Sequence, residues 1–216
     1  MSLSLAKAVA MLQLDLPENI VQHLSQYLDL LEKWNRTYNL TAIREREKMI
    51  SHHVQDALVV LPTLDKRHKA QLSILDIGTG AGIPGLILAL ARSDWRLTLL
   101  DSNSKKTRFL VQAVAQLGLK NVTVEHQRIE QWQAGENHFD IVISRAYSSL
   151  RQFYQDAQPH CASSGLMIAM KGKIPEEELQ HLSVAQDELS IEALNIPGLD
   201  AERHLISLCP ASMRSR

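Results

Sequence analysis

Cysteine is scarce in this chain of 216 residues: Cys161 and Cys209 are the whole supply. They share no metal or redox spacing, which excludes a disulfide framework and predicts a reducing compartment. Excess charge is missing too. With 23 Lys and Arg against 24 Asp and Glu, the net charge is −1. There is no global basic field, so any nucleic-acid partner must be held by a local patch. No apolar run approaches the length of a membrane-spanning helix. The first residues lack the basic segment, apolar core and cleavage site of a secretion signal. Repeats and low-complexity segments are absent. These absences predict a soluble cytoplasmic protein with no membrane partner. What the chain does have is an apolar content of 45%, enough for a sizeable core. Its length suits one domain with an appendage.

The most informative stretch is Leu75-Asp76-Ile77-Gly78-Thr79-Gly80-Ala81-Gly82-Ile83-Pro84-Gly85. It reads as a buried strand, a turn with glycine at every second position, and a helix start. Glycine permits positive φ and close approach of a ligand to the main chain. The helix start behind it offers unpaired N–H groups and partial positive charge. Two ligands compete for this pattern. Gly80-x-Gly82-x-x-Gly85 with Asp101 downstream fits a dinucleotide. Asp76-x-Gly78-x-Gly80-x-Gly82 resembles a pocket for S-adenosylmethionine (SAM). The carboxylate of Asp76 favours the second, because it would repel a pyrophosphate and can face the ammonium group of SAM. An ordinary glycine-rich turn without a ligand is the third possibility.

Residues 1 to 65 read as helical. Ile20, Leu24, Leu28, Leu31 and Trp34 recur at helical spacing, and Val54, Ala57, Leu58 and Leu61 mark another amphipathic piece. His53 and Asp56 fall on one helix face, where a structural hydrogen bond is expected rather than a metal site, since no third ligand is evident. Trp34, Asn35, Arg36, Tyr38 and Asn39 read as loop-like. From Gln71 the pattern alternates. Strands are expected at 72–77, 96–101, 121–125, 139–144 and 166–171, with helices at 85–91, 104–117, 150–160 and 175–188. Two closing strands are expected at 191–196 and 204–208, one of them antiparallel. Such alternation predicts an α/β fold with a mostly parallel sheet covered on both faces. The ligand would then lie beyond the carboxyl ends of the central strands, where Gly78, Asp101, Glu130, Arg145 and Lys171 converge.

With those positions in place, the chain resembles the ribosomal RNA small-subunit methyltransferase G family, also called glucose-inhibited division protein B. The resemblance runs through Lys33-Trp34-Asn35, Tyr38-Asn39-Leu40-Thr41, the stretch from Asp76 to Gly85, and Leu99-Leu100-Asp101-Ser102. It continues at Lys105 to Leu110, Ile143-Ser144-Arg145-Ala146, Lys171-Gly172 and Glu202-Arg203-His204-Leu205. It departs at the tail, Cys209-Pro210-Ala211-Ser212-Met213-Arg214-Ser215-Arg216, since the family usually continues past the last strand with basic residues. The resemblance implies a Rossmann-like class I SAM-dependent methyltransferase fold of seven strands, residues 66–216, with a helical extension, residues 1–65. The implied reaction is methyl transfer from SAM to N7 of a specific guanine in bacterial 16S ribosomal RNA, releasing S-adenosylhomocysteine. The implied partner is that RNA, the small subunit or an assembly intermediate, and no metal is implied.

The site residues follow. Gly78 and Ile83 would lie against the methionine end of SAM. Asp101 would accept both ribose hydroxyls, or else serve as a helix cap. Ile129 and Glu130 resemble the family's adenine-side pair, with core packing as the alternative for Ile129. Arg145 would bind the SAM carboxylate or an RNA phosphate, and the resemblance favours SAM; a structural ion pair is the alternative. Lys105, Lys106, Arg108, Lys171 and Arg203, with Lys173 and His204, would form an RNA-binding rim, or simply solvated faces. Tyr147 can stack on a splayed guanine or equally be a half-buried loop aromatic. No catalytic base is expected: the N7 lone pair is free at neutral pH and no proton has to leave. The Asn/Asp-Pro-Pro-aromatic motif of exocyclic-amine methylation is missing after the fourth strand, where Ser144-Arg145-Ala146-Tyr147 stands. No nucleophilic cysteine lies at that edge. Two other functions remain open to the sequence, a nicotinamide-dependent oxidoreductase and a non-catalytic RNA assembly factor on the same fold. The first would need a partner domain for which the chain has no room; the second has no use for the glycine loop, Asp101 and Arg145 together.

Overall fold

The computed structural model describes residues 4–67, 71–135, 138–182 and 188–210. Helices come first. Ser4 caps α1 (Leu5–Ala10) by accepting from the amide of Lys7. The long α2 (Ile20–Tyr38) buries Ile20, Leu24, Tyr27, Leu28, Leu31 and Asn35, a stripe at three- and four-residue spacing. It stops where Asn39 turns left-handed, with φ of 50°. A continuous helical run follows, made of α3 (Arg46–Met49), a π-helical segment (Ile50–Gln55) and α4 (Asp56–Leu58). The short α5 (Leu61–Asp65) closes the helical part.

The sheet then alternates with helices: β1 (Ser73–Ile77), α6 (Gly85–Ala91), β2 (Arg96–Leu100), α7 (Ser104–Gln116), β3 (Val122–Glu125), β4 (Phe139–Arg145), α8 (Leu150–Ala157), β5 (Cys161–Lys171), α9 (Glu176–Gln180), β6 (Leu189–Ala193) and β7 (His204–Leu208). The strand order is β3-β2-β1-β4-β5-β7-β6, and β7 runs antiparallel to both its neighbours. One of the two closing strands is therefore reversed, as expected.

The central strands are buried on both sides, which is why they read as continuous apolar runs. Their alternation sorts side chains between two clusters. Ile74, Leu97, Leu99, Ile141 and Ile143 join the cluster that also holds Leu24, Leu28, Leu61, Leu86 and Phe109. Leu75, Ile77, Leu100 and Val142 join Leu150, Phe153 and Ala157 on the other side. The N-terminal helices thus share a core with α6 and α7, on one face of the sheet.

Three elements differ from the sequence expectation. The strand β5 begins at Cys161 rather than 166, because Cys161 pairs with Phe139 across an irregularity in β4. Ser163 and Ser164 are exposed there and break the apolar pattern. The helix expected over 175–188 is only Glu176–Gln180, and residues 183–187 lie outside the described residues. The strand expected at 191–196 is shifted back to Leu189–Ala193. The tail positions 211–216 also lie outside the described residues. Among the described residues, no helix is long and apolar enough to cross a membrane.

Candidate functional site at the carboxyl edge of the sheet

Register brings the carboxyl ends together. Ile77 pairs with Leu100, Leu100 with Glu125, and Ile143 of β4 lies opposite both Asp76 and Ile168. Because β7 is reversed, its first residue, His204, pairs with Lys171, the last residue of β5. The start of β7 therefore reaches the edge where the parallel strands end.

The glycine turn is folded back onto β2. The amides of Gly78 and Thr79 both donate to the carbonyl of Leu100, at 2.8 and 3.2 Å. Gly78 has φ of 66°, and a Cβ placed on it would meet no atom of the described residues beyond its chain neighbours within 4 Å. Its backbone borders open space. Gly85 is the opposite case. A Cβ there would run into Leu99 Cδ2 and lie 2.8 Å from Asp76 Oδ2, so glycine is what lets α6 sit down on the sheet.

Asp101 holds the turn in place. Its Oδ2 accepts from the amide of Gly80 at 2.9 Å and its Oδ1 from the amide of Asn103 at 2.8 Å. Lys106 Nζ stands 3.8 Å from Oδ2. The carboxylate retains lone pairs for further donors. Gly78, Asp101, Gln127, Ile129, Glu130 and Tyr147 line a cleft of about 160 Å³. Ile129 is buried, Glu130 exposed. The Tyr147 hydroxyl donates to Asp156 Oδ2 at 2.5 Å, and its ring meets Phe153 edge-on. Burial and that bond push the phenol above its ordinary range. Tyr147 stands in this cleft with Gly78 and Asp101, the side on which the sequence expected SAM.

Asp76 does not line this cleft. It is fully buried on the face shared with α6, where Oδ2 accepts from Thr79 Oγ1 at 2.6 Å and from the amide of Gly85 at 2.8 Å. Oδ1 has no partner. Desolvation raises its pKa to about 7, against the pull of those two hydrogen bonds. The expected contact of this carboxylate with a ligand's ammonium group is replaced by support of the turn from below. Ile83 is likewise buried with the helical-side core, and its side chain is not among those lining the cleft.

Arg145 shares a face with Ile141 and Ile143 by strand alternation, so it points towards the N-terminal helices. Its Nη1 donates to the carbonyl of His52 at 2.7 Å and to Asp56 Oδ2 at 3.2 Å. Arg203 Nε donates to the other oxygen of Asp56 at 2.8 Å. The ion pair that the sequence left as an alternative for Arg145 is thus present. The next residue, Ala146, is left-handed with φ of 62°. That reversal ends the alternation and sends Tyr147 to the cleft beside Gly78. Asp56, Arg145, Ala146, Lys171, Arg203 and His204 contribute to a second cleft of about 350 Å³. A larger cavity of about 750 Å³ lies at the opposite edge, with Gln71, Trp95, Arg96 and Asn121 in its wall. It opens at the amino ends of the strands, where no βα turn points, so size does not choose the site.

The expected basic rim is only partly free. Lys171 pairs with Glu178 at 3.3 Å, and Arg203 is on Asp56. Lys106 sits beside Asp101, while Lys105, Arg108 and Lys173 are exposed. His53 and Asp56 do not bond to each other: His53 Nε2 is 3.0 Å from Thr41 Oγ1. Desolvation, and then Arg145, lower the His53 pKa to about 4. The stretch expected as a loop at Trp34 to Tyr38 is the last turn of α2. Trp34 packs edge-on against Phe109, and buried Asn35 accepts from the amide of Thr41. Sequence reasoning missed Asp56 as a site residue. Its only local signal was a carboxylate at helical spacing among apolar positions.

Comparison with known proteins agrees with this layout. The sequence model of the GidB family, described as rRNA small subunit methyltransferase G, matches residues 20–206. A protein named ribosomal RNA small subunit methyltransferase G from Laribacter hongkongensis is 45% identical over 197 residues, 91% of each chain. One of the same name from Chromobacterium violaceum is 45% identical over 94% of this chain and 95% of its own. Among solved structures, a Klebsiella pneumoniae protein described as an O-methyltransferase superposes with a TM-score of 0.57 at 16% identity, covering 86% of this chain and 90% of its own. A precorrin-6y C5,15-methyltransferase from Geobacter metallireducens gives 0.52 at 14% identity, covering 68% and 85%. The likeness to these structures is one of fold: the seven-stranded class I methyltransferase sheet with flanking helices. The sequence matches go further, and the chain belongs to the rRNA small subunit methyltransferase G family.

Proposed function

We propose that this protein is a cytoplasmic enzyme that transfers the methyl group of SAM to N7 of a guanine in 16S ribosomal RNA, presented free or within a small-subunit assembly intermediate. The observation that carries the reading is the open cleft at Gly78, at the carboxyl edge of the sheet, in a chain of this family. The residues fit the ligand. Gly78 leaves room for the methionine end, and Asp101 has lone pairs to spare for ribose hydroxyls. Ile129 and Glu130 border the adenine position, Ile129 through its backbone and Glu130 by accepting from an exocyclic amine. Ile83 contributes through the shape of the turn. When bound, SAM supplies an electrophilic methyl on a sulfonium.

The chain's own contribution is placement. N7 carries its lone pair in the plane of the purine and gives up no proton, so no general base is needed. Alignment with the methyl and exclusion of water supply the catalysis. Arg145, which the resemblance put on the SAM carboxylate, lines the adjoining cleft with Arg203, and both are assigned here to the RNA. Ala146 stands between the two clefts, where cofactor and target base would meet.

The test is methyl transfer from labelled SAM to 16S RNA or small subunits, with the product nucleoside identified by mass spectrometry. N7-methylguanosine in the parent reaction is expected. Gly78→Val should abolish SAM binding, because the new side chain fills the open space. A folded Gly78→Val protein with parent-like SAM affinity would move the pocket elsewhere.

A further inference from the structure

Two arginines, Arg145 at the end of β4 and Arg203 just before β7, meet on one carboxylate. The Asp56 side chain is 4% exposed, those of Arg145 and Arg203 26% and 21%. Asp56 accepts from Arg145 on one oxygen and from Arg203 on the other. Each arginine is further fixed by a carbonyl, Arg145 by His52 and Arg203 by Glu202, both at 2.7 Å. The Nη2 group of each arginine has no hydrogen bond to any described residue, and both arginines line the cleft of about 350 Å³. Lys171, in the same cleft, is matched by Glu178. The surplus positive charge therefore belongs to the arginine pair.

Cementing a helix to a sheet would need one arginine on Asp56. A second leaves one net positive charge at a half-buried place, which costs desolvation free energy unless an anion completes it. Two guanidinium groups would also repel each other without a carboxylate between them. A phosphodiester carries a single charge on two free oxygens and accepts a two-pronged donor. We propose that Asp56 is a positioning residue that holds Arg145 and Arg203 together as a fork for one phosphodiester of the RNA. The proposal rests on the reading that the protein acts on RNA. It makes the N-terminal helices part of the RNA site, through a residue that touches no RNA itself.

Asp56→Asn tests it, because it keeps the shape while its amide nitrogen cannot accept from the second arginine. It also adds one net positive charge to the cleft. Bulk electrostatics would then tighten RNA binding, whereas loss of the fork should weaken it. The expected result is a KM for RNA raised by roughly tenfold, with kcat at saturating RNA, SAM affinity and melting temperature close to the parent's. An unchanged or lower KM overturns the proposal. So does a parallel loss of SAM affinity and melting temperature, which marks Asp56 as cement only. Should Asp56→Asn fail to fold, Arg203→Lys gives the reading. Lysine keeps the charge and reaches Asp56 but lacks the second prong, so the KM should rise at parent-like stability; an unchanged KM refutes the fork. RNA binding by a parent protein that transfers no methyl would defeat the functional reading and leave the fork measurable by RNA affinity.

Discussion

The two clefts on the carboxyl edge are built by different means. The glycine-turn side of the first is a local product: Gly80 and Asp101, its hydrogen-bonded pair, are 21 residues apart and belong to a single strand–helix–strand unit. The one at Arg145 is assembled across the chain, with Asp56 bonded to partners 89 and 147 residues away. Backbone amides and glycine geometry shape the first; charged side chains from three elements shape the second. The first depends on packing under the turn, the second on electrostatics at the surface, and substitutions should separate them.

The largest effect is expected at the seat of the turn. Gly85→Val would force two methyls into Leu99 and Asp76, at a cost of about 3 kcal/mol or more of folding stability. Urea unfolding reads it directly, and a parent-like midpoint would mean that α6 can lift off the sheet at little expense.

Next is the buried carboxyl beneath the turn. Asp76 gives up its proton near 3.8 when unfolded and near 7 when folded. Between those values the folded chain holds the proton and the unfolded chain does not. The stabilising contribution is therefore complete below pH 3.8 and lost as pH rises through about 7. At about 1.4 kcal/mol per pKa unit, moving from pH 5 to pH 8 should cost the parent about 2 to 3 kcal/mol that Asp76→Asn does not lose. Parallel pH profiles for the two proteins would show that Asp76 stays charged in its burial.

A smaller change is expected from Asp101→Ala. Calorimetry should show SAM affinity weakened by about 1 to 3 kcal/mol, with RNA affinity kept. Equal weakening of both would merge the two clefts into one functional unit. The smallest effects belong to the exposed cations of α7. Removing Lys105 or Arg108 should weaken RNA binding by less than about 1 kcal/mol and lower the salt slope by about one for each phosphate no longer neutralised. A flat response would confine the RNA to the arginine side.

The contrast also explains what the sequence could tell. The turn, its flanking strand and helix, and Asp101 were legible because period-two and helical patterns are local and the glycine spacing is rigid. The helix α6 and the strand β7 match their expected bounds. The direction taken by Arg145 was legible in principle, since Ile141, Ile143 and Arg145 alternate to one face. Its partner was not, because Asp56 lies 89 residues away and no pattern links the two. Trp34 to Tyr38 misled because Asn35 and Asn39 suggest a turn; burial of Asn35 and the packing of Trp34 on Phe109 carry the helix through. The tyrosine after Ala146 could not be assigned to a cleft, since a left-handed alanine leaves no mark in the sequence.

The distance along the chain between Asp56 and Arg203 has a consequence for the order of folding. Closing a loop of 147 residues costs entropy that must be met before the contact gives anything back. Asp56 can find Arg145 once β4 joins β1, but it is balanced by both cations only after β7 has slotted between β5 and β6. The contact belongs to the late part of assembly. Whatever stability it adds is therefore read in the rate of unfolding and not in the rate of folding, and Asp56 meets its second arginine only once β7 is in place.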